Sequence, residues 1–137
     1  MFSLSDSPLD PKKLEKHLYA EEAGAFVSFQ GWVRNHNDGK DVIRLEYEAY
    51  QDLALKEGQR ILEEATEKFD LINALCVHRI GKLEIGDIAV WVGVSSAHRD
   101  TAFSASRFII DEIKKRVPIW KKEHYDSGNS GWVNCET

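Results

Sequence analysis

Between Val42 and Phe69 the spacing of apolar residues changes from a period of two to a helical period, and this switch constrains the fold more than any other feature. Ile43, Leu45, Tyr47 and Ala49 alternate with Arg44, Glu46 and Glu48, as in a strand with one buried face. From Gln51 onward Ala54, Gly58, Ile61, Leu62, Ala65 and Phe69 recur at helical spacing, which predicts an amphipathic helix over Gln51–Phe69. Downstream, Leu71–Arg79 and Ile88–Ser95 read as strands joined by a loop containing Gly81 and Gly86-Asp87. Thr101–Val117 reads as a last long helix whose buried stripe is Ala102, Ser106, Ile109, Ile110, Ile113 and Val117. Pro118 ends it, because the residue before a proline is pushed out of the helical region.

Upstream, Asp10-Pro11 predicts the N-cap and first turn of a short helix running to about Ala20. Ala25–Val33 reads as a strand with Ala25, Val27, Phe29 and Val33 on one face. Asp38-Gly39 predicts a hairpin turn that returns this strand along Val42–Tyr50. The order αββαββα, with hairpin-length connections, predicts an α+β fold: a mainly antiparallel sheet with flanking helices.

A chain of 137 residues matches a single domain, 1–137, and its 42% hydrophobic content supplies a core. The longest uncharged stretch, Ile88 to His98, has eleven residues, whereas a membrane-spanning helix needs about 20 apolar ones. Met1–Asp10 is polar and lacks the apolar segment of a secretion signal, so a cytoplasmic protein is expected. Two cysteines supply neither a disulfide framework nor a four-cysteine zinc site, and the histidines show no HxxxH spacing, so no metal is expected. Cys76 reads as a buried hydrophobe and Cys135 as an exposed tail residue.

A net charge of −5 argues against a nucleic-acid coat, yet Arg107–Lys122 holds six basic residues against two acids. Such a patch fits a small anionic ligand or an acidic partner tail. It fits equally well a helix C-terminus where the macrodipole favours cations.

Three segments carry chemistry. In Ser95-Ser96-Ala97-His98-Arg99-Asp100-Thr101 a buried strand meets a helix N-terminus, whose free amides attract anions; His98 and Arg99 add an imidazole and a bidentate cation. The plain alternative is an N-cap by Asp100 or Thr101. Lys114 lies beside Ile110 and Ile113, at the edge of the buried stripe, where a lysine either snorkels or enters a cleft. Past Pro118 the chain turns and Lys121 returns toward the same place; two lysines near apolar surface repel, which lowers a pKa. Arg34 sits where a strand meets a polar turn, with Asn35 and Asn37 as turn formers.

Together, Val33-Arg34-Asn35-His36-Asn37, Leu45-Glu46-Tyr47-Glu48-Ala49-Tyr50, His78-Arg79-Ile80-Gly81, Ser95-Ser96-Ala97-His98-Arg99 and Val117-Pro118-Ile119-Trp120-Lys121-Lys122-Glu123 closely resemble the large, catalytic subunit of molybdopterin synthase, the MoaE family. The resemblance spans residues 24–133. It implies an α/β hammerhead fold and transfer of two sulfurs to cyclic pyranopterin monophosphate, giving the molybdopterin dithiolene. It implies a small ubiquitin-like partner, MoaD, whose C-terminal Gly-Gly thiocarboxylate carries the sulfur, and a homodimer at the centre of a heterotetramer. It implies no metal and no cofactor for the transfer itself. Carried over by residue, Lys114 and Lys121 match the active-site lysines. Trp32-Val33-Arg34, His98-Arg99 and Lys121-Lys122-Glu123 match the substrate-binding segments. One departure stands out: some members place a basic residue shortly after the tail's Trp-Val, reaching the neighbouring pocket, whereas here Trp132-Val133 is followed by Asn134-Cys135-Glu136-Thr137. The rival reading, a non-catalytic scaffold binding a ubiquitin-like Gly-Gly tail, is disfavoured by the presence of both lysines. Trp91, flanked on its strand face by Ala89, Gly93 and Ser95, is expected either to protrude toward a second copy or to pack under the N-terminal helix.

Overall fold

The computed structural model describes residues 1–135. Its elements are β1 (Phe2–Ser5), α1 (Pro11–Glu15), β2 (Ala25–Trp32), β3 (His36–Asn37), β4 (Lys40–Ala49), α2 (Gln51–Phe69), β5 (Asn73–Arg79), β6 (Gly81–Glu84), β7 (Ile88–Ser96), α3 (Arg99–Arg116), β8 (Ile119–Tyr125), β9 (Gly128–Asn129) and β10 (Val133–Asn134). The three helices and four main strands fall in the expected order. Local sequence explains them well: Asp10 caps α1 by accepting from the Lys12 amide, and the buried faces of α2 and α3 largely follow the expected stripes. On α3, Ala105 joins the buried face and Ile110 lies at its margin. α1 itself is shorter than expected, its helical hydrogen bonding giving way to turns before Ala20.

The pairing of strands differs from the expectation. One sheet runs β1-β5-β7-β2 and a second runs β10-β8-β4-β3, with β6 and β9 added to β4 and β8. Every pairing is antiparallel except β1 with β5. The anticipated hairpin between the strands at Ala25–Val33 and Val42–Tyr50 does not form. β2 pairs β7, while β4 pairs β8 in the other sheet. The Asp38-Gly39 turn is real but local: both residues have positive φ (50° and 77°), and they close the two-residue β3–β4 hairpin. Turn chemistry acts over four residues, so it specifies this ribbon and says nothing about where β2 finds its partner.

β4 also changes phase. Val42 stands opposite Tyr125 and Arg44 opposite His124, so Ile43 is an extra, bulged residue. The bulge buries Val42 together with Leu45 and Tyr47 and turns Ile43 out to 43% exposure, contrary to the simple alternation. β2 is an edge strand; its Ala25 and Val27 pack on the core, but Phe29 is exposed.

α2 and α3 cover one face of the first sheet, and a smaller cluster of Leu18, Leu75, Val77 and Trp91 fills the other beside Leu9 and Leu14. Trp91 is fully buried there, so the protruding alternative is corrected. Gly93 is the reason: the indole lies across it in the space a Cβ would occupy. Cys135 is likewise buried, not exposed, because β10 pairs β8 and carries it inward. Among the described residues, no helix is long and apolar enough to cross a membrane.

Candidate functional site

α3 ends in a cluster of cations, and the structure sorts them by face. Arg116 reaches across to α2, donating from Nε to Glu57 at 2.9 Å and from both terminal nitrogens to Glu64 at 2.8 and 2.7 Å. Arg107 pairs with Asp111 and Lys115 with Glu112. This part of the basic patch is therefore satisfied within the molecule. Lys114 points the other way, half-buried, with no carboxylate in salt-bridge contact among the described residues.

Val117 leaves the helix in an extended conformation (φ −82°, ψ 127°), and Pro118 prevents continuation. The chain returns as β8, where Lys121 stands opposite Tyr47 and Glu123 opposite Leu45. A strand alternates its faces, so Lys121 and Glu123 share one side and Lys122 the other. Lys122 instead lies over the Trp132 ring, 4.6 Å from its centroid. Burial lowers the Lys114 pKa from the ordinary lysine value; Lys121 adds to this, and the sulfurs of Cys135 and Cys76 oppose it. The two lysines thus meet at one place, as the turn at Pro118 suggests.

Glu123 is buried and connects this place to Arg34. Its carboxylate accepts from Asn37 Nδ2 at 2.8 Å and from the Tyr125 hydroxyl at 3.2 Å. Asn37 Oδ1 in turn accepts from Arg34 at 3.4 Å. Arg34 is exposed, directly after Val33, which is buried and held by backbone bonds to Gly86 and Asp87. Trp32 is 66% exposed, its indole donating to Gln30. Arg34, Glu123, Lys121 and Lys114 therefore occupy one end of the fold.

His98 and Arg99 do not join them. They open α3, whose 18 residues extend about 27 Å. His98 is the N-cap residue, but its side chain makes no capping bond, and neither Asp100 nor Thr101 takes that position. Ser96 and Thr101 both donate to the His98 carbonyl, fixing the loop while leaving the first-turn amides without a side-chain acceptor. His98 and Arg99 are both exposed.

Sequence reasoning missed Asn37 as a link to Glu123, along with Tyr47, Tyr125, His78 and Cys135. The first looked like a turn former, and the others become neighbours only through strand pairing. Among the described residues, no three His, Cys, Asp or Glu side chains converge as metal ligands.

Known proteins bear on this arrangement. The family model described as MoaE protein matches residues 4–116. A molybdopterin synthase catalytic subunit of Thermoplasma volcanium is 41% identical over 94% of either chain. One of Pyrococcus abyssi is 48% identical over 83% of this chain and 76% of its own. The X-ray structure of molybdopterin synthase from Staphylococcus aureus superposes with a TM-score of 0.90 at 40% identity, covering 95% of this chain and 94% of that one. A complex of subunits 1 and 2 of molybdopterin-converting factor from Helicobacter pylori shares the fold, with a TM-score of 0.77 at 20% identity over 93% and 87% of the two chains. With the family model spanning most of the chain and relatives this similar over nearly its full length, the protein belongs to the MoaE family.

Proposed function

We propose that this protein is the catalytic subunit of a molybdopterin synthase, moving two sulfurs from the C-terminal thiocarboxylate of a small ubiquitin-like subunit onto cyclic pyranopterin monophosphate. The observation that carries the reading is the convergence of Lys114 and Lys121, from α3 and β8, without a carboxylate in salt-bridge contact with either among the described residues. Two cations left unpaired near apolar surface form a site for an anion. A thiocarboxylate tail and the charge developing during sulfur attack supply that anion. Lys114, its pKa lowered mainly by burial, is the group better suited to exchange a proton as thiocarboxylate becomes carboxylate. Arg34, oriented through Asn37 and Glu123, binds the pterin phosphate beside them.

His98 and Arg99 enter through a second copy. They lie at the far end of α3 from Lys114, so a homodimer that brings this end against the neighbour's lysine pair completes the phosphate site. Lys122 and Trp32 belong to the rim. The whole chain, 1–137, acts as one large-subunit domain in the cytoplasm.

The test is reconstitution. The chain is mixed with a ubiquitin-like protein bearing a C-terminal Gly-Gly thiocarboxylate and with the cyclic pterin, and dithiolene product is measured. Turnover is expected. Partner binding without product would instead establish a scaffold.

A further inference from the structure

β5 carries a titratable group that this mechanism leaves unused. Alternation along the strand places Cys76 and His78 on the face covered by α2 and α3, while Leu75 and Val77 face the opposite cluster. His78 is 1% exposed. Its Nδ1 lies 2.7 Å from the Arg79 carbonyl oxygen. A carbonyl only accepts, so Nδ1 carries the hydrogen and Nε2 is left as a bare acceptor. Nε2 is buried and has no partner among the described residues. The ring has little freedom to turn away, because Tyr47 packs edge-on against it, with centroids 5.0 Å apart at 74°.

The complementary donor is Lys114, whose charge is felt at His78. Lys114 has three N–H groups and no hydrogen-bond acceptor of its own among the described residues. Its charge acts on both residues of this β5 face: with burial, it holds His78 down to about 4, and it counters the burial that pushes Cys76 up to about 12. The other titratable groups around the pair are Tyr47, Cys135, Lys121, the terminal amine near Cys76 and the buried carboxylate of Glu123, which acts on Tyr47. Burial raises both thiols and the Tyr47 phenol, so these three groups stay uncharged near neutral pH.

We propose that His78 is a positioning residue for Lys114, its Nε2 accepting a hydrogen bond from the lysine ammonium, directly or through one water. The bond satisfies the orphan acceptor, fixes the direction of the amine and favours its protonated form. Tyr47, which stands opposite Lys121 and against His78, connects both lysines to this arrangement.

The kinetic arm rests on the sulfur-transfer reading; the spectroscopic arm does not. His78→Leu removes the acceptor, and His78→Gln restores one. In the reconstituted synthase, His78→Leu should lower kcat about tenfold with pterin KM little changed. It should also move the alkaline limb of kcat to lower pH. His78→Gln should stay within about threefold of wild type in kcat. Equal losses in both variants, or wild-type kcat and pH limb in His78→Leu, would overturn the proposal. Should His78→Leu fail to fold, long-range ¹H–¹⁵N spectra of the wild type and Lys114→Met decide. A protonated Nδ1 in both, with the Nε2 resonance displaced in Lys114→Met, is expected. An unchanged Nε2 resonance, or a hydrogen on Nε2, overturns it. A wild-type chain that makes no product while giving the expected spectra would remove the enzymatic reading and leave the contact standing.

Discussion

Arg116 and Lys114 sit two residues apart in the last turn of one helix, and their surroundings are opposite. Arg116 faces α2 and is held by Glu57, Glu64 and Glu112, carboxylates that raise its pKa further. Lys114 faces the sheets, with a second lysine, two cysteines and an imidazole near it, and burial, helped by Lys121, lowers its pKa. A cation placed among acids is part of the structure; a cation buried beside another cation awaits an anion. The difference separates the scaffold from the site within a single helical turn.

The strongest way to break the comparison is to remove a cation on the site side. Lys121→Ala should lower molybdopterin formation on the order of 10²–10³-fold with unchanged circular dichroism, as expected for losing an electrostatic stabiliser. Wild-type turnover would take Lys121 out of the site. Lys114→Ala should fall in the same range, with weaker binding of the small subunit if it also grips the tail.

The buried side should also titrate. His78 is held uncharged when folded, with a pKa near 4 against an ordinary 6.5. As pH falls through 6.5 the unfolded chain takes up a proton that the native state refuses, so stability is lost from there down to about 4 and then levels off. The loss amounts to roughly 3 kcal/mol. Urea titrations across this window should show it, and His78→Leu should flatten the slope. An unchanged slope would mean that another group dominates acid unfolding.

A smaller effect is expected at Arg34. Charge-assisted hydrogen bonds are worth about 1.5–3 kcal/mol, so Arg34→Ala should raise the pterin KM about tenfold or more. Affinity for the small subunit should change less; equal losses for the two ligands would contradict the assignment.

The scaffold side should respond least. Arg116→Met should cost about 1 kcal/mol of stability, because solvent and salt screen this network, and should leave turnover intact. The stability difference should shrink further in high salt. A variant that folds normally but loses activity would erase the contrast between the two faces.

Much of this was legible in the chain. The boundaries of α2, the break at Pro118, the Asp38-Gly39 turn and the place of Lys114 at the margin of the buried stripe all follow from periods and turn chemistry. These depend on residues close in sequence, so the sequence by itself determined them. Which strand pairs with which was not legible, because β2 finds β7 and β4 finds β8 over separations at which local preferences carry no information. The bulge at Ile43, the burial of Trp91 and Cys135 and the meeting of Asn37 with Glu123 are consequences of that pairing. So is the separation of His98-Arg99 from the lysines, since the length of a straight helix becomes a distance only once both ends are placed. Residue types named the chemistry; only the tertiary structure decided which cations were neutralised by acids and which were left facing inward, because burial and pairing are properties of the packed whole.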